Sequence, residues 1–185
     1  MIQEIAPHVY HNAFHERKSL PTDLVTIFSK GKTYLTETGL FPTAAQVKEL
    51  GVGEEDLVYL FEIDEVAFFL LWTVNDTVKE ALVESPTMVF RNMEPSHLAL
   101  AGATALHLSG WYRANRFCGC CGTPMERDKV ERAMRCPKCS NIVYPRINPA
   151  ILAAVRHNGK ILLTHYANRA NASRYALIAG FTEIG

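Results

Sequence analysis

The sequence predicts an α+β chain in three parts: a mixed α/β domain, a ribbon cornered by cysteines, and the opening strands of a further domain. Three observations lead there. Two C-x2-C corners (Cys118 to Cys121 and Cys136 to Cys139) are separated by fourteen residues, a helical pattern runs into the first of them, and strand patterns with turn residues lie on either side. With 48% apolar and 21% charged residues and a net charge of zero over 185 residues, the composition is that of an ordinary globular protein. The longest apolar run, residues 66–72, is far shorter than the roughly 18 residues of a membrane span. Residues 1–10 carry no basic start with an apolar core behind it, so a reducing, cytoplasmic setting is expected.

Residues 1–95 read as a small mixed domain without a chemical motif. Residues 24–28 and 33–35, joined by Ser29-Lys30-Gly31-Lys32, predict a hairpin with glycine in its turn. Residues 57–63 and 66–74 are rich in aromatic and branched side chains and predict a second pair, turning at Asp64-Glu65. Two short helices have capping-box signals, Thr43 with Gln46 and Thr77 with Glu80. His8, His11 and His15 have helical spacing, but no cysteine or carboxylate cluster accompanies them, and they read as ordinary surface histidines. Ser96 is the expected N-cap of a connecting helix that carries Leu98, Ala101, Ala105, Leu108, Trp111 and Tyr112 on one stripe as far as Arg116. His107, on that helix, reads as packed or solvated.

The cysteine corners carry the strongest chemistry. Two such corners can close four thiolates on one Zn2+ at roughly 2.3 Å, because each turns tightly enough to aim both sulfurs inward. The expected ligands are Cys118, Cys121, Cys136 and Cys139, with Cys120 a spare thiol inside the first corner. A redox pair would open a helix after a strand, whereas Gly122, Thr123 and Pro124 break the chain, and disulfides suit secreted chains. With four sulfurs bound, no position is left open for substrate, so the ion should stabilise and not catalyse. Residues 111–148 also hold eight Lys or Arg against three acids. That excess reads equally well as a phosphate-attracting face or as the polar exterior of a ribbon with little core.

After the proline-punctuated linker at 144–149, two apolar runs (150–155 and 161–164) flank Asn158-Gly159, a strong hairpin signal. A polar loop at 168–174 leads to a third strand, 175–181. Some 36 residues are too few to bury a core unaided, so this part is expected to be a fragment of a larger domain.

Phe117-Cys-x-x-Cys-Gly, the second C-x2-C, Tyr144-Pro-x-Ile-x-Pro149, the Asn-Gly strand pair and Ala179-Gly-Phe-x-Glu-x-Gly185 together resemble the NADH pyrophosphatase family of Nudix hydrolases. The resemblance is strong over 118–185, moderate over 96–117, and only of place and size over 1–95. It implies a degenerate Nudix-like domain at 1–95, a connecting helix at 96–117, a zinc ribbon at 118–144 and the start of a catalytic Nudix α/β/α sandwich at 145–185. Counting from Gly180, the first glutamate of the Nudix signature falls one position past Gly185. The Arg-Glu-x-x-Glu-Glu helix that binds Mg2+ or Mn2+ in the family is thus expected beyond this stretch, which by itself should be inactive. The resemblance also implies that the Ala179 carbonyl faces a catalytic metal and that Phe181 stacks on nicotinamide. Tyr144 would cover that ring's other face from a partner subunit, and Glu131 and Arg91 would contact substrate. The implied function is hydrolysis of NADH or NAD+ to nicotinamide mononucleotide and AMP by a homodimer, with removal of NAD caps from RNA. A non-catalytic zinc ribbon that binds nucleic acid, or one that serves only as a dimerising scaffold, would carry the same cysteines.

Overall fold

The computed structural model describes residues 2–165 and 174–183. The chain divides into two compact units, 1–145 and 146–185. The first is built on a sheet in which β1 (Tyr10–His11), β5 (Leu57–Ile63), β6 (Val66–Leu71) and β2 (Leu24–Thr26) lie side by side in that order. The β5–β6 hairpin is antiparallel and turns at Asp64, whose φ of 54° is the left-handed conformation such a turn demands.

Both faces of this sheet are covered, and strand alternation decides which side chain goes where. Phe68 and Leu70 join the core on one face, while Ala67, Phe69 and Leu71 join that on the other. In β5 the alternation breaks at a bulge between Tyr59 and Phe61, which lets Leu60, Phe61 and Ile63 all enter the same core. One face packs against α3 (Ser96–Ala114), whose Leu98, Ala101, Ala105, Leu108 and Tyr112 are buried. Against the other lie Val47 of α1 (Ala44–Glu49) and Val78 of α2 (Asp76–Ala81). The result is a helix–sheet–helix layering in which each buried Leu or Phe contributes about 2 kcal/mol.

Local signals succeed and fail for identifiable reasons. The Thr43–Gln46 capping box is present in full. The second helix is instead capped two residues before Thr77, because the Asn75 side chain accepts from the Val78 N–H at 2.8 Å. Ser96 is not a cap but the first helical residue after Pro95. The expected 24–35 hairpin is split. β3 (Phe28–Ser29) turns through Lys30 and Gly31 into β4 (Lys32–Leu35), which pairs onward with β7 (Val83–Pro86), whereas β2 runs parallel to β6.

The ribbon follows α3 directly as a three-stranded sheet of β8 (Glu126–Arg127), β9 (Met134–Arg135) and β10 (Ile142–Val143). Cys118, Met125, Met134 and Cys136 belong to the same buried cluster as Trp111, Tyr112 and Leu60. Ribbon and N-terminal domain therefore share a core.

In the second unit, β11 (Ala150–Ala153) pairs antiparallel with β16 (Ile178–Phe181). The Asn158-Gly159 turn joins only β12 (Arg156–His157) to β13 (Lys160–Ile161), with φ values of 48° and 74°. β14 (Thr164–His165) pairs with β15 (Tyr175–Ala176), so the expected third strand is two short ones, and the polar loop before it lies outside the described residues except for Arg174. None of this unit's described side chains is buried, and Leu152, Tyr175 and Phe181 are 72%, 66% and 76% exposed. Among the described residues, no helix is long and apolar enough to cross a membrane.

Candidate metal centre and its surroundings

The two cysteine corners are folded alike, hydrogen bond for hydrogen bond. In the first, the Cys118 carbonyl accepts from the Gly122 N–H at 2.8 Å and the Cys118 N–H donates to the Thr123 carbonyl at 2.8 Å. In the second, the Cys136 carbonyl accepts from the Ser140 N–H at 3.0 Å and the Cys136 N–H donates to the Asn141 carbonyl at 2.8 Å. Each corner leaves through a left-handed residue, Gly122 at φ 71° and Ser140 at φ 60°. Backbone N–H groups of Cys120 and Cys139 point at the sulfurs of Cys118 and Cys136 at 3.4 and 3.5 Å, as donors do around thiolates.

This geometry brings all four expected sulfurs together, within 4.8 Å of one another, and the Cys118–Cys139 and Cys121–Cys136 pairs are each 3.5 Å apart. A tetrahedron with Zn–S of about 2.3 Å has edges of about 3.8 Å. The donor set therefore fits structural Zn2+. Cys120 is exposed and outside the cluster. The amide of Asn141 reaches the Cys118 sulfur at 3.7 Å and gives the site an outer-shell contact. The Cys120 N–H, ahead of other contacts, pulls the Cys118 thiol down to about 6. At Cys139 the Asn141 N–H pulls down, but bonds with the other three sulfurs outweigh it and push the thiol up to about 12. A divalent cation bound by four thiolates removes this competition.

Beyond the corners, the β8–β9 loop is organised by Asp128. One carboxylate oxygen accepts from the N–H groups of Val130 and Glu131 at 2.9 and 3.0 Å, and the other from Arg135 Nε at 2.8 Å. The Arg135 bond and these two N–H groups hold the Asp128 carboxyl down at about 2. The loop thereby presents Glu131, which accepts from the Tyr144 hydroxyl at 2.7 Å. That bond raises the Tyr144 pKa, and half of the residue remains exposed.

Residues 113–144 match the family model described as the NADH pyrophosphatase zinc ribbon domain. This stretch is similar to the zinc ribbon of the NADH pyrophosphatases. Similar curated proteins agree. A protein of Klebsiella pneumoniae (strain 342), named NAD-capped RNA hydrolase NudC, is 38% identical over 94 residues, which are 51% of this chain and 36% of the relative. A protein of the same name from Pectobacterium carotovorum is 43% identical over 86 residues, 46% of this chain and 32% of the relative. One from Salmonella typhimurium is 38% identical over 94 residues, 51% and 36%. The chain thus spans about a third of the length of the curated relatives it matches.

Within the ribbon, the structure brings together Glu131 and Tyr144. Arg91 is not with them in any contact. It ends the 3-10 turn Thr87–Arg91, exposed, and lines a small apolar pocket with Met88 and Leu106. Ala179 and Phe181 lie on β16 of the second unit, opposite Leu152 and Ala150 in register. Among the described residues the cysteines are the only group of three or more His, Cys, Asp or Glu placed to hold an ion, so His8, His11 and His15 do not gather.

The basic residues around the ribbon divide by what they touch. Arg132 donates to the Asn12 side chain at 2.7 Å and to the Leu60 carbonyl, and its guanidinium lies 5.7 Å from the Phe14 ring centre. It ties the ribbon to the sheet. Arg135 serves Asp128, and Arg113 donates to the Phe28 carbonyl. Arg132 and Arg135 are structural, Arg113 is anchored through one nitrogen only, and charge counting alone gave no signal that distinguished them. The Asp128 turn could have been read from an Asp two and three residues ahead of the N–H groups it caps.

Proposed function

We propose that this chain is the N-terminal portion of an NAD(H) diphosphatase that also removes NAD caps from RNA. The observation that carries the reading is the four-sulfur cluster inside a ribbon matching that of the NADH pyrophosphatases. Similarity to proteins named NAD-capped RNA hydrolase adds the capped RNA. In the proposed reaction a water oxygen attacks one phosphorus of the pyrophosphate, the bridging P–O bond breaks, and nicotinamide mononucleotide and AMP leave.

In this reading zinc supports the fold and takes no step in the chemistry. Phe181 offers its exposed ring to nicotinamide, and Tyr144 of the partner subunit covers the other face, each contact worth about 1 kcal/mol. The hydrogen bond to Glu131 holds Tyr144 in place and leaves Glu131 its second oxygen for a ribose or amide. Arg91 neutralises phosphate. When bound, Mg2+ or Mn2+ would polarise the pyrophosphate and activate water, and of the residues here the Ala179 carbonyl would contribute to holding it. Residues 1–185 contain no Arg-Glu-x-x-Glu-Glu segment, so we assign them no hydrolysis by themselves. The shared ring contact calls for a homodimer, and the free thiols for a reducing cytoplasm.

A chimera tests the reading. Residues 1–183 are joined to the Klebsiella relative from its signature helix onward, loaded with zinc, and given NADH and Mn2+. Release of AMP and reduced nicotinamide mononucleotide is expected, with none from residues 1–185 alone. A folded, zinc-replete chimera that leaves NADH intact, or turnover by the short chain, would contradict the proposal.

A further inference from the structure

A cleft of about 420 Å³ opens where the C-terminal end of α3 meets the ends of β3 and β6. Its walls include Arg113, Arg116, Trp72, Ser29, Thr73 and Ser109, and among the described residues no acid lines it. The volume is that of a small-ligand site. Arg113, in the last turn of α3, and Arg116, two residues beyond the helix end, both line the cleft. Arg113 is anchored by donating to the Phe28 carbonyl, while Arg116 has no carboxylate partner among the described residues. Two guanidinium groups beside hydroxyls, with no acid to neutralise them, make a phosphate site.

Trp72 supplies the second element. Its indole, 37% exposed, stands edge-on to Tyr112 at 5.7 Å and carries the Arg127 guanidinium 5.0 Å from its centre. A large apolar ring left open in a polar cleft, already holding one planar cation, is a stacking platform. Ser109 is only 2% exposed and places a hydroxyl in the cleft wall.

We propose that this cleft binds a nucleotide, its phosphate on Arg113 and Arg116 and its base against Trp72. The cleft shares no lining residue with Tyr144 or Glu131, and the proposal does not depend on the hydrolase reading. Its ligand is a free mononucleotide or one nucleotide of a single-stranded RNA.

Tryptophan emission of the zinc-loaded chain reports the outcome, titrated with AMP, with a five-uridine oligoribonucleotide and with inorganic phosphate. AMP or the oligonucleotide quenches saturably, the quench is absent in Trp72→Phe, and Arg116→Glu weakens binding by about tenfold or more, whereas Lys138→Glu on the second cysteine corner leaves it unchanged. Arg116→Gln shifts affinity in the same direction and serves if the charge reversal lowers zinc content. Equal affinity for AMP and oligonucleotide identifies a free nucleotide, and tighter, more salt-dependent oligonucleotide binding identifies RNA. The assignment is overturned by the absence of saturable quenching, by phosphate binding as tightly as AMP, or by equal loss in the Arg116 and Lys138 variants.

Discussion

His97 sits in the first turn of α3, with Nδ1 buried and without a hydrogen-bond partner. Its ring centre is 3.9 Å from that of His8, whose Nδ1 is 2.7 Å from Asp64. Burial first, and the neighbouring His8 second, push the His97 pKa below its ordinary value of 6.5, against the pull of Asp64. The unfolded chain therefore binds more protons in this range, and stability is full above about 6.5 and lost as pH falls from there through the lower folded-state value. Urea midpoints of the zinc-loaded protein should drop between about pH 7.5 and 5.5, and His97→Asn should flatten that drop; equal slopes in the two proteins would remove His97 from the account. Nothing in the order of residues 8, 64 and 97 announced this contact, because it depends on the β5–β6 turn meeting the start of α3.

At the scale of elements, α3 joins the sheet to the ribbon, and two of its glycines do opposite things. A Cβ on Gly102 would lie 2.3 Å from the Phe90 ring, so the helix approaches the Thr87–Arg91 turn only because that position lacks a side chain. Gly110 meets nothing within 4 Å. Gly102→Ala should cost about 1–3 kcal/mol through overpacking, whereas Gly110→Ala should stabilise by up to about 1 kcal/mol through helix propensity. Denaturant midpoints moving in opposite directions would bear this out, and a loss at both would not. Elements were legible in the sequence where their cause is local. The two corners were, because sulfur spacing and a left-handed exit residue define them. So was the β5–β6 hairpin. β2 and β3 were not, since residues 24–28 are one apolar run to the eye, and only the parallel partner β6 and the antiparallel partner β4 divide it at Ile27. Asn75 and Thr77 are both sound caps, and the sequence offered no basis for preferring the first.

For the whole molecule, the ribbon is part of the unit that precedes it. Met125, Met134, Cys118 and Cys136 are buried with Trp111 and Tyr112, and Arg132 and Arg127 reach across to Asn12 and Trp72. These contacts join residues up to 120 positions apart, so spacing alone showed the metal site but not what it supports. Metal binding at such a site is folding free energy, on the order of 10 kcal/mol for a thiolate cluster, and much of it should reach the N-terminal sheet. Chelation should therefore lower the unfolding midpoint of the entire 1–145 unit and shift Trp111 emission, whereas a ribbon that melts alone would leave the sheet's transition in place.

The most direct test is metal analysis of the purified chain beside two variants. One zinc per chain is expected in the parent protein and in Cys120→Ser, and almost none in Cys136→Ser. A metal-free parent protein, or zinc retained without Cys136 but lost without Cys120, would contradict the four-sulfur centre on which the functional reading stands.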